Sequence, residues 1–285
     1  MSDLDPRRIE AELDRLGARI GRPVVVAPVT ASTNDDARRA ASGGAPHGAA
    51  FLADAQTQGR GRSGHAWHSP PGENLYLSVV LRPRLEPHAL PPLALVLGVC
   101  VARVVDEALG VSASSGARAG VKWPNDVLVD GKKLAGLLVE TAMRGGSIDA
   151  VVAGIGLNVF ASSFPGELAS RATSLHALGA RGLDRSSLAA RLLAEIGHAV
   201  RSFEADGLGP FLDELDLRDV LRGVPVDVSG VSGTAAGIDR QGYLLVRGSD
   251  GAVHRVGSGS VTTHAPLGSP GPRDRGGPGA GGAEG

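Results

Sequence analysis

Apolar residues recur at helical spacing in several stretches of the chain and alternate or cluster as strands in most of the others. Asp5-Pro6 opens the first helix, an Asp cap followed by Pro at the first helical position, and Ile9, Leu13 and Leu16 follow on one face. A polar cluster, Ser32-Thr33-Asn34, leads into a short helix through Ala41 that Gly43-Gly44 closes. Pro92 to Leu109 reads as a mostly apolar helix and Ser186 to Glu204 as an amphipathic one. Strands are predicted at Pro23–Val29, Ala50–Ala53 and Asn74–Leu81. A hairpin, Val127–Val129 and Lys132–Thr141, turns on Asp130-Gly131, a pair that favours a type I′ turn. After Arg144-Gly145-Gly146 another strand runs from Ile148 to Val159.

The pattern changes near residue 220. From Arg222 to Thr263 short β-rich runs are punctuated by Gly, which suits a small β-barrel. Three segments are therefore expected: an α/β domain at 1–218, a small β domain at 221–264 and a tail at 265–285. In the tail, 12 of the 20 residues from Pro266 onward are Gly or Pro, too few apolar groups to offset the entropy of ordering it.

Composition narrows the function. With 29 bases against 30 acids, the net charge of −1 excludes a nucleic-acid binder acting through bulk charge. The longest uncharged apolar run, Ala89–Ala102, is shorter than the roughly 20 residues of a membrane span. The acidic N-terminus has no apolar run behind it, unlike a secretory signal. One cysteine, Cys100, permits neither an internal disulfide nor a thiolate cluster. A cytoplasmic protein is expected.

Three polar, glycine-rich motifs interrupt the apolar pattern. In Gln56 to Trp67, alternating Gly residues let a ligand approach the backbone, and Arg60 and Arg62 offer forked donors for carboxylate or phosphate. Taken alone, Arg-Gly-Arg in a loop is more often solvated charge. The motif also lacks the Gly-Lys-Ser/Thr ending of a P-loop and the following helix of a dinucleotide fingerprint. The second motif is Lys122-Trp123-Pro124-Asn125-Asp126 with Lys133-Leu134-Ala135-Gly136, where a tight hairpin brings Asp126 and Lys133 together. The third, Gly154-Ile155-Gly156-Leu157-Asn158-Val159, places glycines inside a strand, which calls either for something lying on the backbone or for a bulge.

In this order and spacing, Ser-Thr-Asn (32–34), Gln-x-x-Gly-Arg-Gly-Arg-x-Gly (56–64) with Trp67, Lys-Trp-Pro-Asn-Asp (122–126), Lys-Leu-Ala-Gly (133–136) and Gly-Ile-Gly-Leu-Asn-Val (154–159) resemble the biotin protein ligase family, over about residues 25–264. The resemblance implies a mixed-sheet α/β catalytic domain with a small SH3-like C-terminal domain. It implies ATP-dependent activation of biotin as biotinoyl-5′-AMP, with Mg²⁺, and transfer to one lysine of a biotin carboxyl carrier protein domain. Ser32, Thr33, Asn34, Gln56, Gly59, Arg60, Gly61, Arg62 and Lys133 would bind biotin. Arg62, His65, Trp67, Lys122, Asn125 and Asn158 would meet the nucleotide, Lys133 and Arg62 would act in catalysis, and Asp126 would help place Mg²⁺. A glycine-rich loop that orders on ligand would keep water from the mixed anhydride.

Two departures stand out. His65 occupies a position where the family often has another Arg. Only about 20 residues precede the first strand, too few for a DNA-binding winged helix, so the chain resembles the ligase-only form; no specific DNA, no membrane, and a monomer or weak homodimer are expected. The alternatives are a lipoate or octanoate ligase and a non-enzymatic sensor of the biotin adenylate. The Gly-Arg-Gly-Arg loop and the small β domain favour biotin. The presence of Lys133 and Arg62 favours an enzyme.

Overall fold

The computed structural model describes residues 3–111, 118–264 and 267–268. Helix α1 (Pro6–Arg15) starts as the sequence predicts: the Asp5 carboxylate accepts from the Arg7 amide and Ile9 and Leu13 are fully buried, while Leu16 lies past the last turn, exposed. The main sheet has seven strands in the order β1-β2-β3-β7-β6-β5-β4. They are β1 (Val24–Thr30), β2 (Ala50–Gln56), β3 (Asn74–Leu81), β4 (Ala119–Lys122), β5 (Asp126–Val129), β6 (Lys132–Arg144) and β7 (Ser147–Asn158). Strands β1 and β2 are parallel, joined through α2 (Thr33–Ser42), and the other pairs are antiparallel, so the sheet is mixed. The Asp130-Gly131 turn of the β5–β6 hairpin has positive φ at both residues, 51° and 73°, as a type I′ turn requires. Strand β4, which ends on the Lys122 of the Lys-Trp-Pro motif, was not anticipated; it is four residues long, below the length at which an apolar pattern shows.

Alternation along the central strands divides the molecule. On β3, Leu75, Leu77, Val79 and Leu81 enter the main core, and on β7 Val151, Ala153, Ile155 and Leu157 do the same. That face is covered by α1, α3 (Leu93–Ala108) and α5 (Arg185–Asp206), the last preceded by a four-residue helix, α4 (Leu168–Arg171). The opposite face carries Val80, Ala150 and Val152 at one end, where Ala37 and Ala41 of α2 close a small second core. Towards the other end that same face bears Ser78, Gly154, Gly156 and Asn158. The helical stretch Pro87–Ala108 is long and apolar enough to cross a membrane, but 72 % of its most apolar window is buried within the fold.

Residues 225–263 form a five-stranded antiparallel sheet, β11-β10-β9-β8-β12, with β8 (Pro225–Val228), β9 (Val231–Ile238), β10 (Leu244–Arg247), β11 (Val253–Val256) and β12 (Thr262–Thr263). This is the SH3-like unit. Helix α6 (Leu212–Arg218) leads into it, and the Val220 amide donates to the Val121 carbonyl of β4. Of the expected tail, all but Leu267 and Gly268 lies outside the described residues. Leu267 is part of the fold: it packs half-buried against the core, and its carbonyl lies so close to Gly131 that a Cβ there would stand 2.2 Å from it.

One buried cation ties the N-terminus to the sheet. Arg185, 1 % exposed, donates to Asp3 at 2.5 Å, to Asp54 of β2 at 2.7 Å and to the Asn74 carbonyl of β3 at 3.1 Å. Arg185→Met keeps the apolar stem but strips two carboxylates of their partner. Breaking a buried pair costs about 3–5 kcal/mol, and because both carboxylates keep some exposure the loss is expected near the lower bound. Urea denaturation measures it; a loss below about 1 kcal/mol, the value of an exposed pair, would show that the network contributes nothing beyond surface charge.

Candidate functional site

On the open half of the α2 face lies a cavity of about 500 Å³. Its floor follows from strand register. Gly136 of β6 pairs with Gly156 of β7, which pairs with Tyr76 of β3; one row along, Leu138, Gly154 and Ser78 align. The glycines are required by what lies above them. A Cβ on Gly154 would stand 2.0 Å from Asn34 Oδ1, and one on Gly156 would stand 2.4 Å from the Trp67 ring. The strand has no bulge at these residues, so of the two readings the sequence left open, close approach to the backbone is the right one.

One wall is the start of α2. Ser32 caps the helix in extended geometry but its hydroxyl makes no capping bond, and Ser32, Thr33 and Asn34 are all at least nine-tenths buried. Gln56 Oε1 accepts from the Thr33 amide at 2.9 Å, while its Nε2 donates to Ser69 Oγ at 3.0 Å, so Gln56 links α2 to the far end of the glycine-rich loop. The Ser78 hydroxyl donates to Asn34 Oδ1 at 2.6 Å, and Asn34 Nδ2 donates to Glu140 at 2.7 Å. Both ends of the Asn34 amide are thereby oriented. Ser78 and Glu140 were missed by the sequence reading. The available signal was a single hydroxyl on the off-core face of an otherwise apolar strand.

The roof is the loop itself, a small hairpin. Arg60 pairs with Ala66, the Gly61 amide donates to the His65 carbonyl at 2.7 Å, and the Trp67 amide donates to the Gly59 carbonyl at 2.9 Å. Gly59 is the one predicted site residue that does not reach the cavity wall. It is buried beneath the loop, where a Cβ would stand 2.5 Å from Ser69 Oγ, so its place is structural packing. Arg60 lines the cavity, but its guanidinium is forked onto Asp35 at 2.7 Å through both nitrogens. Arg62 reaches across to Asn125 Oδ1 at 3.4 Å, and exposed His65 sits with Nδ1 3.0 Å from the Arg62 carbonyl.

The remaining wall comes from the β4–β5 corner and the start of β6. Lys133 Nζ lies 2.7 Å from Asp126 Oδ1 and 5.3 Å from the centre of the Trp67 ring. Asn125 is fixed by donating to the Leu137 carbonyl at 2.7 Å, and Asn158 by donating to the Thr173 carbonyl at 2.9 Å. Lys122 donates to the Val261 carbonyl at 3.3 Å; burial pulls its ammonium below the ordinary lysine range, a shift partly opposed by Asp126. Trp123 is core, and its Nε1 donates to the Gly242 carbonyl of the small sheet at 3.0 Å. Arg171, Leu168 and Phe164 at the mouth, and Gly259–Val261 from the small sheet, also line the cavity and carried no signal in the sequence. Among the described residues, five Lys or Arg side chains therefore line it against one carboxylate, Asp126. Such a site suits a polyanion with an apolar part.

The pattern of the Biotin/lipoate A/B protein ligase family matches residues 26–158, and that of the Biotin protein ligase C terminal domain matches residues 229–262. The biotin–[acetyl-CoA-carboxylase] ligase of Mycobacterium tuberculosis is 38% identical over 252 residues, covering 85% of this chain and 90% of that one. The chain belongs to the biotin protein ligase family. As a member it is an enzyme, a biotin ligase. Among solved structures, the Aquifex aeolicus biotin protein ligase in complex with biotin and ATP superposes with a TM-score of 0.71 at 28% identity, over 85% of this chain and 98% of that one. The Leishmania major ligase in complex with biotinyl-5-AMP superposes with a TM-score of 0.55 at 27% identity, over 82% and 98%.

The floor gives a direct test. Gly156→Ala is expected to push the Trp67 ring out of its place, since neither the strand backbone nor the ring can yield a full ångström. Its fluorescence, read in a Trp123→Phe background, should shift to the red and the ligase should lose biotin affinity. An unchanged spectrum with unchanged affinity would remove Trp67 from the floor.

Proposed function

We propose that the cavity binds biotin and ATP together, forms biotinoyl-5′-AMP and delivers the biotinoyl group to a lysine of a biotin carboxyl carrier protein domain. The observation that carries this reading is the Lys133 ammonium, held by a strand start and by Asp126 between the α2 wall and the cationic mouth. Biotin would lie between the α2 wall and the Trp67 ring that covers the glycine floor, with its ureido end at Ser32, Thr33 and Asn34. Its carboxylate would point to Lys133, and the nucleotide would extend past Trp67, Asn125 and Asn158 towards Lys122.

In the first step the biotin carboxylate attacks the α-phosphorus and pyrophosphate leaves. Both reactants are anions, so cations fixed in advance reduce the cost of their approach and stabilise charge in the transition state. Lys133 and Arg62 fill that role. Among the described residues no three His, Cys, Asp or Glu side chains cluster as a metal site. Magnesium characteristically needs only one or two carboxylates beside substrate phosphates, so the single carboxylate Asp126 fits it. Bound there, the ion would supply charge neutralisation to the triphosphate. In the second step the carrier lysine attacks the mixed anhydride and AMP leaves, with no enzyme nucleophile required.

Labelled biotin, MgATP and a carrier domain test the reading: label on the carrier lysine is expected, and none after octanoate or lipoate replaces biotin. Lys133→Ala should slow adenylate formation by roughly 10²–10³-fold, the cost of removing one preorganised donor, with the fold intact. Adenylate formation at the wild-type rate would make Lys133 an ordinary surface lysine. Lys122 predicts a pH effect. Its lowered pKa means that the cation is lost, and ATP affinity falls, at a lower pH than an ordinary lysine would give. Lys122→Arg should move that alkaline limb upward; a limb that stays put would assign it to another group.

A further inference from the structure

The glycine-rich hairpin carries two arginines that do different things. Arg62, near the tip, has one long hydrogen bond, 3.4 Å to Asn125, which leaves its charge available to a ligand. Arg60, at the base, is held on both sides of its fork. Nη1 and Nη2 each lie 2.7 Å from an oxygen of Asp35, in the first turn of α2. Two parallel charge-assisted bonds fix orientation as well as distance, which a single long bond does not. Asp35 is itself steadied by Arg38 at 2.6 Å, and it does not line the cavity. The Arg60 hydrogen bond, ahead of the surrounding arginine charges, holds its carboxyl below the usual carboxylate range, although burial acts the other way.

We propose that Asp35 is a positioning residue for the ligase reaction: through its two-pronged pair with Arg60 it holds residues 60–66 down over the cavity and so sets how long the adenylate is retained. The proposal rests on the ligase reading above. Arg60 and Ala66 pair at the neck of the hairpin and Trp67 follows directly, so fixing Arg60 fixes both the roof and the ring over Gly156. The mixed anhydride reacts with any amine or water it meets, so a roof that opens early lets it escape before a carrier arrives.

The test uses the full-length protein, loaded with labelled biotin and MgATP, freed of excess ligand and followed without carrier. Asp35→Asn keeps shape and removes the charge. It should release adenylate about tenfold faster, an effect of the size expected for losing one charge-assisted link, and should biotinylate a bystander such as serum albumin. Its melting temperature and rate of adenylate formation should stay close to wild type. Arg60→Lys keeps the charge and removes the fork; it too should speed release, and the double variant should be no worse than the faster single one, since both break the same link. Unchanged release, additive effects, or a lowered melting temperature with every rate reduced in proportion would overturn the proposal. If the wild-type protein formed no adenylate, the ligase reading would fail instead. The latch would then stand or fall on hydrogen exchange of residues 60–66 without ligand, expected faster in Asp35→Asn and overturned if equal.

Discussion

The pleat of three adjacent strands decides where this protein can do chemistry. On β3, β7 and β6 alternate residues, leucine, valine and isoleucine with an alanine on β6 and another on β7, enter the main core, and that burial is what holds the sheet together. The residues between them have nothing to bury at one end of the sheet, and there the chain places Ser78, Gly136, Gly154, Gly156 and Asn158. A smooth, polar-edged floor is the consequence. A register slip of one residue on β6 or β7 would put leucine or isoleucine into the cavity and glycine into the core, and on β3 it would exchange leucine for Ser78, so the core and the site specify the same register.

Charge is arranged on that floor with restraint. Five cationic side chains line the cavity, but Arg60 is matched by Asp35 and Lys133 by Asp126, so the ligand-free site is less repulsive than the count suggests. Partial compensation also suits the chemistry. On the proposed reading, a lysine already oriented by a carboxylate would not have to be ordered when substrate arrives, and an incoming carboxylate and phosphate would draw it forward as charge builds. Lys122 is treated differently. Its ammonium is buried against a backbone carbonyl of the small sheet, and desolvation weakens its hold on the proton.

Much of this was legible in the chain. Asn74–Leu81 was placed to the residue because it is a long run bounded by polar groups, and the Asp130-Gly131 turn because both residues tolerate positive φ. The motif residues were found because they interrupt apolar periodicity, and all but Gly59 reach the cavity wall. Strand β4, Ser78, Glu140 and Arg171 were not found, for three physical reasons. Four residues are too short to show a period. A hydroxyl or carboxylate in a strand is identical in sequence whether it faces solvent or an asparagine. An arginine on a four-residue helix becomes part of a cavity mouth only through the folding of distant strands.

The small sheet supplies the remaining constraint. Alone, a unit of this size buries little apolar surface, and here it is fastened to residues 121–123 by hydrogen bonds, two of them from side chains that line the cavity. Trp123 donates to Gly242, Lys122 donates to Val261, and the Val121 carbonyl accepts from Val220 just before the small sheet begins. Residues Gly259–Val261 in turn line the cavity. A shift of the small sheet would therefore move Lys122 and the corner that carries Asn125 and Asp126. That corner also receives Arg62 from the loop, so the roof, the cationic wall and the C-terminal unit share one short piece of backbone, residues 121–126.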